Sequence, residues 1–126
     1  MKEVIFDASF FLSYLLPDEN INQEIVSQFK EGKIKLIEPY IFSLEVTNAL
    51  RYALGSQRIS KKKLFKIINN FENLKNIEYV YDFDLEKIAK LALEKELSIY
   101  DACYLQLHLD TKYPLYTLDK KLIKAN

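Results

Sequence analysis

SIYDACYLQLHLDTKYPLYTLDKKL, residues 98–122, is the stretch whose reading decides the fold. It reads as a helix, a short loop, a buried strand and a second loop. Ser98 and Asp101 have the S-x-x-D spacing of a capping box, which places Asp101 in the first turn of the helix. Asp119 directly follows the apolar run Leu115-Tyr116-Thr117-Leu118, at the end of the strand. The chain opens on a matching unit, Val4-Ile5-Phe6-Asp7, an apolar strand that ends in an aspartate. Between the two lies Glu45, near the start of another helix. The expectation is that the fold brings Asp7, Glu45, Asp101 and Asp119 to one place.

Outward from these units, residues 3–7 are strand one, and Ser9 to Leu16 is a short buried helix that Pro17 ends. Asn20 and Gln23 open a second helix with Ile21, Ile25, Val26 and Phe29 on one face, and Gly32 stands just past its end. Lys35-Leu36-Ile37 is strand two. Pro39 suits the first turn of a third helix, whose face is Phe42, Val46, Ala49, Leu50 and Ala53 and which Gly55 stops. Ser60 opens a fourth helix with Leu64, Ile67, Ile68 and Phe71 inward, and residues 78–81 are strand three. Leu85 to Glu96 is a fifth helix, with Ile88, Ala89, Ala92 and Leu93 inward. The sixth helix runs to about Asp110, strand four is 115–118, and a short amphipathic turn finishes the chain.

Strands that alternate with helices, and that are continuously apolar, imply an α/β fold. The expected architecture is a central parallel sheet of four or five strands with helices on both faces. At 126 residues the prior is a single domain spanning 1–126. In open sheets of this kind, sites form beyond the carboxyl ends of the strands. Asp7 and Asp119 stand there.

Composition narrows the chemistry. The chain is 49% hydrophobic, enough for a sizeable core, and its apolar runs fall well short of a membrane span. Asp7 interrupts the apolar start, so no secretory signal is expected. One cysteine, Cys103, excludes an internal disulfide framework and fits a reducing cytoplasm. One histidine, His108, excludes histidine-rich zinc sites; it lies about 10.5 Å along the helix from Asp101, and reads as structural. Two glycines cannot build a phosphate-binding loop or a dinucleotide fingerprint. Net charge is zero, yet Arg51, Arg58, Lys61, Lys62, Lys63 and Lys66 fall within sixteen residues that contain no acid. Lys120, Lys121 and Lys124 form a second basic cluster.

What remains is carboxylate chemistry. Hard oxygen donors select Mg²⁺ or Mn²⁺, ions that act on phosphate groups. Each acid alone also has a structural reading. Asp101 completes a cap, Asp7 caps the next helix, Asp119 occupies a turn and Glu45 is a solvated helix residue.

Four segments resemble PIN-domain nucleases, and the short chain resembles the VapC-type toxins among them: VIFDAS at 4–9, PYIFSLEVTNAL at 39–50, SIYDACYLQL at 98–107 and LYTLDKKL at 115–122. The resemblance spans almost the whole chain in order and is weakest over 56–80. Ala8 stands where the family commonly has threonine, which leaves the ligand set unaltered. The resemblance implies a PIN-like, three-layer α/β/α domain and a cytoplasmic Mg²⁺- or Mn²⁺-dependent endoribonuclease. Asp7, Glu45, Asp101 and Asp119 would hold one or two ions, with Ser9 and Thr117 as supporting hydroxyls. It further implies an RNA substrate, a homodimer and a cognate antitoxin. The basic residues Arg51, Arg58, Lys61, Lys62 and Lys63 would touch RNA or a protein partner. Other readings stay open: a catalytically weak PIN-like scaffold that binds proteins, a receiver-type signalling domain, and a metal phosphatase. The last two want a second acid close to Asp7, where this chain has Ala8 and Ser9.

Overall fold

The computed structural model describes residues 1–16 and 24–126, so the expected stop at Pro17 and the Asn20–Gln23 cap with Ile21 lie outside the described residues. The elements are β1 (Lys2–Phe6), α1 (Ala8–Leu15), α2 (Glu24–Lys30), β2 (Ile34–Pro39), α3 (Phe42–Gly55) and α4 (Lys61–Glu72), then β3 (Ile77–Val80), α5 (Leu85–Lys95), α6 (Ile99–Thr111), β4 (Leu115–Tyr116) and α7 (Lys120–Ala125).

The four strands form one parallel sheet in the order β3-β2-β1-β4. The chain first moves outward from β1 to β2 and β3, then crosses back to β4 on the other side of β1. Right-handed crossovers therefore put α1–α4 on one face and α5 and α6 on the other. Burial agrees with a covered sheet: Val4, Ile5 and Phe6 are consecutive along β1, point alternately to the two faces, and are all fully buried. On the first face Phe6 packs on Phe10 and Phe29 at 4.7 and 5.9 Å between ring centres, and Phe11 meets Phe42 and Phe71 at 5.2 and 5.3 Å. On the second, α6 is apolar on nearly every side; Tyr104, Leu105 and Leu107 join the main core while Ala102 and Cys103 pack with Ile88 and Ala92 of α5.

Four local expectations change. Pro39 ends β2, opposite Val80, instead of opening α3; the Tyr40 N–H takes the Val80 carbonyl at 3.0 Å, so the missing proline donor breaks no ladder there. In α5, Leu91 is buried and Leu93 is 81% exposed, because the buried stripe is Ile88, Leu91 and Ala92 at i, i+3 and i+4. Gly55 is the last residue of α3, and the left-handed turn after it is taken by Gln57 at φ 64°, with the Arg58 N–H reaching the Ala53 carbonyl at 2.8 Å. Gly32, by contrast, does take φ 74° after α2. Strand four stops at Tyr116, because Thr117 turns its hydroxyl to Asp7 and to the Asp119 N–H and so leaves the ladder.

Candidate active site

The order of the sheet reverses direction between β1 and β4, and in such folds the crevice at the carboxyl ends of those two strands is where ligands bind. Asp7 follows β1 directly and is only 4% exposed. It is the N-cap of α1: Oδ1 accepts from the Phe10 N–H at 2.9 Å and from the Ser9 hydroxyl at 2.7 Å. Oδ2 accepts from the Thr117 hydroxyl, 110 residues away, at the end of β4. Ser9 Oγ in turn accepts from the Leu118 N–H at 3.1 Å, and Thr117 Oγ1 from the Asp119 N–H at 3.0 Å. The two hydroxyls thus tie the end of β1 to the end of β4 around one carboxylate.

Asp119 caps α7, its Oδ1 accepting from the Lys121 and Leu122 N–H groups at 2.9 and 3.1 Å. Asp101 stands in the first turn of α6, where the expected cap forms through Ser98 Oγ accepting from the Asp101 N–H at 3.0 Å. Glu45, in the first turn of α3, is half-buried, and its Oε1 accepts from the Tyr104 hydroxyl at 2.6 Å. Tyr104 lies one turn beyond Asp101 on α6, so α6 both carries an acid and orients another.

The electrostatics link these acids. Burial raises Asp7 above the usual carboxylate range, its three hydrogen bonds oppose this, and the Asp119 charge adds to the rise. Burial likewise raises Glu45, with Asp101 and Asp7 pushing the same way and the Tyr104 bond opposing. Asp101 is raised first by burial, then by Asp119 and Asp7, while Ser98 and Lys121 hold it down. Asp7 and Asp101 thus feel the Asp119 charge, and Glu45 feels Asp101 and Asp7, although among the described residues no three Asp, Glu, His or Cys side chains are drawn into a closed ligand cluster. The donor set is entirely hard oxygen, which suits Mg²⁺ or Mn²⁺ rather than a soft metal.

Two further residues of this site emerge only from the fold. Tyr104 is fully buried apart from its bond to Glu45. Glu38, in β2, is completely buried, and its Oε2 accepts from the Phe6 N–H at 3.0 Å. Burial and the charges of Asp7 and Glu45 push its carboxyl well above the usual range. The signal for Glu38 was an acid inside the apolar run Leu36-Ile37-Glu38-Pro39. His108 is structural as expected: Nδ1 lies 2.6 Å from the Tyr113 carbonyl, past the end of α6.

The basic residues divide. Arg51 is on α3, two turns beyond Glu45, and lines a surface groove of about 590 Å³ with Asn48, Tyr52, Gly55 and Ser56. Asn48 also lines a neighbouring groove of about 350 Å³ with Ile41, Leu44, Glu45 and Tyr100. One outer strip of α3 thus leads from Glu45 to Arg51. Arg58 lies in the turn after α3, and Lys61, Lys62 and Lys63 form the exposed first turn of α4. At 1.5 Å per residue that end of α3 is about 15 Å from Glu45.

No curated protein matches this chain. Among solved structures it is similar to the crystal structure of PAE2754 from Pyrobaculum aerophilum, with a TM-score of 0.69 and 19% identity over 99% of this chain and 86% of that one; at that identity the likeness concerns the fold. Residues 4–126 match the PIN domain family, and the match includes every element that contributes to the crevice. The chain belongs to the PIN domain family.

Proposed function

We propose that this protein is a metal-dependent endoribonuclease acting as the toxin of a toxin–antitoxin pair. PIN domains are typically nucleases. The observation that carries the reading here is geometric: Ser9 and Thr117 tie Asp7, at the end of β1, to the end of β4 where Asp119 stands, and Tyr104 ties Glu45 of α3 to the helix that carries Asp101. Burial first, and then the neighbouring acids, raise Asp7, Glu45 and Asp101, with the Asp119 charge among the causes at Asp7 and Asp101, an arrangement that a divalent cation relieves.

Asp7, Glu45, Asp101 and Asp119 would hold Mg²⁺ or Mn²⁺, as one or two ions. Such an ion supplies Lewis acidity, stabilising charge on a phosphodiester and lowering the pKa of water. The chain's own groups do the rest. Ser9 and Thr117 fix both oxygens of Asp7, and Tyr104 fixes Glu45, so these carboxylates are preorganised. Along α3, Arg51 supplies a cation for phosphate, while Tyr52 of the same helix and Tyr100 of α6, 73% and 57% exposed, offer faces on which unpaired bases stack. Lys61, Lys62 and Lys63 are placed to meet a longer RNA or a protein partner.

The same strip suits a cognate antitoxin. Leu44 is 72% exposed beside Glu45 and gives an apolar anchor, and the acids would accept an arginine or lysine of the inhibitor. A homodimer and a cytoplasmic location belong to this reading; no helix among the described residues is long and apolar enough to cross a membrane. The test is cleavage of a panel of cellular RNAs with and without Mg²⁺, repeated with any copurifying partner at saturation. Mg²⁺-dependent products that the partner suppresses are expected. A panel left intact under all conditions refutes the reading and favours a protein-binding scaffold.

A further inference from the structure

We propose that Glu38 is a fifth carboxylate of this cation site, contributing its Oε1 and its charge to the ion that Asp7 and Glu45 would hold. The inference rests on the metal-dependent reading above and adds a residue that the four-acid set does not contain.

The side chain sits where two strands part. The β1–β2 register runs Lys2↔Ile34, Glu3↔Lys35 and Val4↔Leu36, while β2 continues along β3 as far as Pro39↔Val80. Beyond Leu36, the Glu38 side chain takes over what the ladder leaves, accepting the Phe6 N–H through Oε2 at 3.0 Å. That contact anchors its carboxyl at the last residue of β1, next to Asp7 and at the edge of the sheet where the crevice lies. The residue is 0% exposed, and Oε1 has no hydrogen-bond partner among the described residues.

Accepting one amide needs one oxygen. A glutamine would do it without bringing an ionisable group into the interior, where a dry oxygen is costly. The two charged groups that act on Glu38, Asp7 and Glu45, are both acids, so the neighbourhood supplies repulsion in place of a counter-charge. A cation at the crevice gives the unpartnered oxygen and all three charges a common partner, which a role confined to holding β1 leaves unexplained.

The test is Mn²⁺ binding to the full chain, followed by the electron paramagnetic resonance of free Mn²⁺, for the parent and Glu38→Gln. The glutamine keeps an acceptor for Phe6, and circular dichroism melts without metal report its fold. The expected result is a folded variant whose Mn²⁺ affinity falls about tenfold or more. Unchanged affinity in folded Glu38→Gln overturns the inference and leaves the nuclease reading intact. A parent that binds no Mn²⁺ overturns both. Infrared difference spectra of parent protein carrying ¹³C-labelled glutamate need no variant: Mg²⁺ should shift two glutamate carboxyl bands, Glu38 and Glu45, and a single shifted band overturns the inference.

Discussion

Tyr104→Phe removes a single oxygen from the centre of the site. The ring stays, so the packing of a residue that is 1% exposed is kept and no apolar volume is lost. What goes is the 2.6 Å bond from the hydroxyl to Glu45 Oε1, which joins α6 to α3 across 59 residues. A hydrogen bond to a charged group contributes about 1.5–3 kcal/mol. Glu45 is half-buried, so water can replace part of that bond, and the net cost should be about 1–2 kcal/mol. For a chain of this size that corresponds to a fall of roughly 3–8 °C in Tm. The hydroxyl also holds the Glu45 pKa down against burial and the charges of Asp101 and Asp7. Its loss moves that pKa further up, so the acidic limb of the cleavage pH profile should shift toward higher pH. Melts by circular dichroism give the first quantity, and single-turnover RNA cleavage across pH gives the second. A Tm within 1 °C of the parent, by the same scaling, together with an unmoved pH profile, would refute the claim that Tyr104 orients Glu45.

Asp7→Ala should cost about 2–4 kcal/mol, because it removes the cap of α1 and the acceptor of both Ser9 and Thr117; Asp7→Asn keeps the cap and should lie much nearer the parent, as urea midpoints will show. Asp7, Glu38, Glu45 and Asp101 are all raised in the folded state above ordinary values of 3.8 for aspartate and 4.5 for glutamate. The stability they contribute is fully present below those values and is lost as pH rises through the raised ones. Metal-free urea midpoints should therefore carry a destabilising contribution that grows with pH and that saturating Mg²⁺ removes; a pH dependence identical with and without Mg²⁺ contradicts this. Arg51→Ala with Tyr52→Ala should weaken binding of single-stranded RNA by about 2–4 kcal/mol while leaving the metal-free Tm unchanged, since both side chains are exposed.

Much of this architecture is legible in the sequence, for a physical reason. Buried parallel strands are short continuous apolar runs, and Val4-Ile5-Phe6 and Leu115-Tyr116 stand out between amphipathic helices. Asp7, Asp101 and Asp119 are legible because each follows or opens such a unit, and helix caps have local signatures. Glu45 is weaker, since an acid in the first turn of a helix is common. What stayed hidden depends on contacts far apart in the chain. Nothing local tells that Glu38 reaches the Phe6 amide 32 residues away, or that Tyr104 finds Glu45. Pro39 is ambiguous in the sequence because its fixed φ suits a strand end as well as a helix start, and only the pairing with β3 decides. Periodicity alone points Leu93 inward, whereas α5 buries a narrow stripe against α6 and leaves that flank to solvent.

The central claim is that four acids from four elements act as one metal-dependent hydrolytic site. Its most direct test is cleavage of a defined single-stranded RNA by the purified protein with Mg²⁺, with excess EDTA, and by Asp101→Asn with Mg²⁺. The substitution keeps the Ser98 cap, which uses the Asp101 backbone N–H. The account predicts cleavage by the parent with Mg²⁺, none in EDTA, and a loss on the order of 100-fold or more in folded Asp101→Asn. Cleavage that persists in EDTA, or at the parent rate in Asp101→Asn, would contradict it.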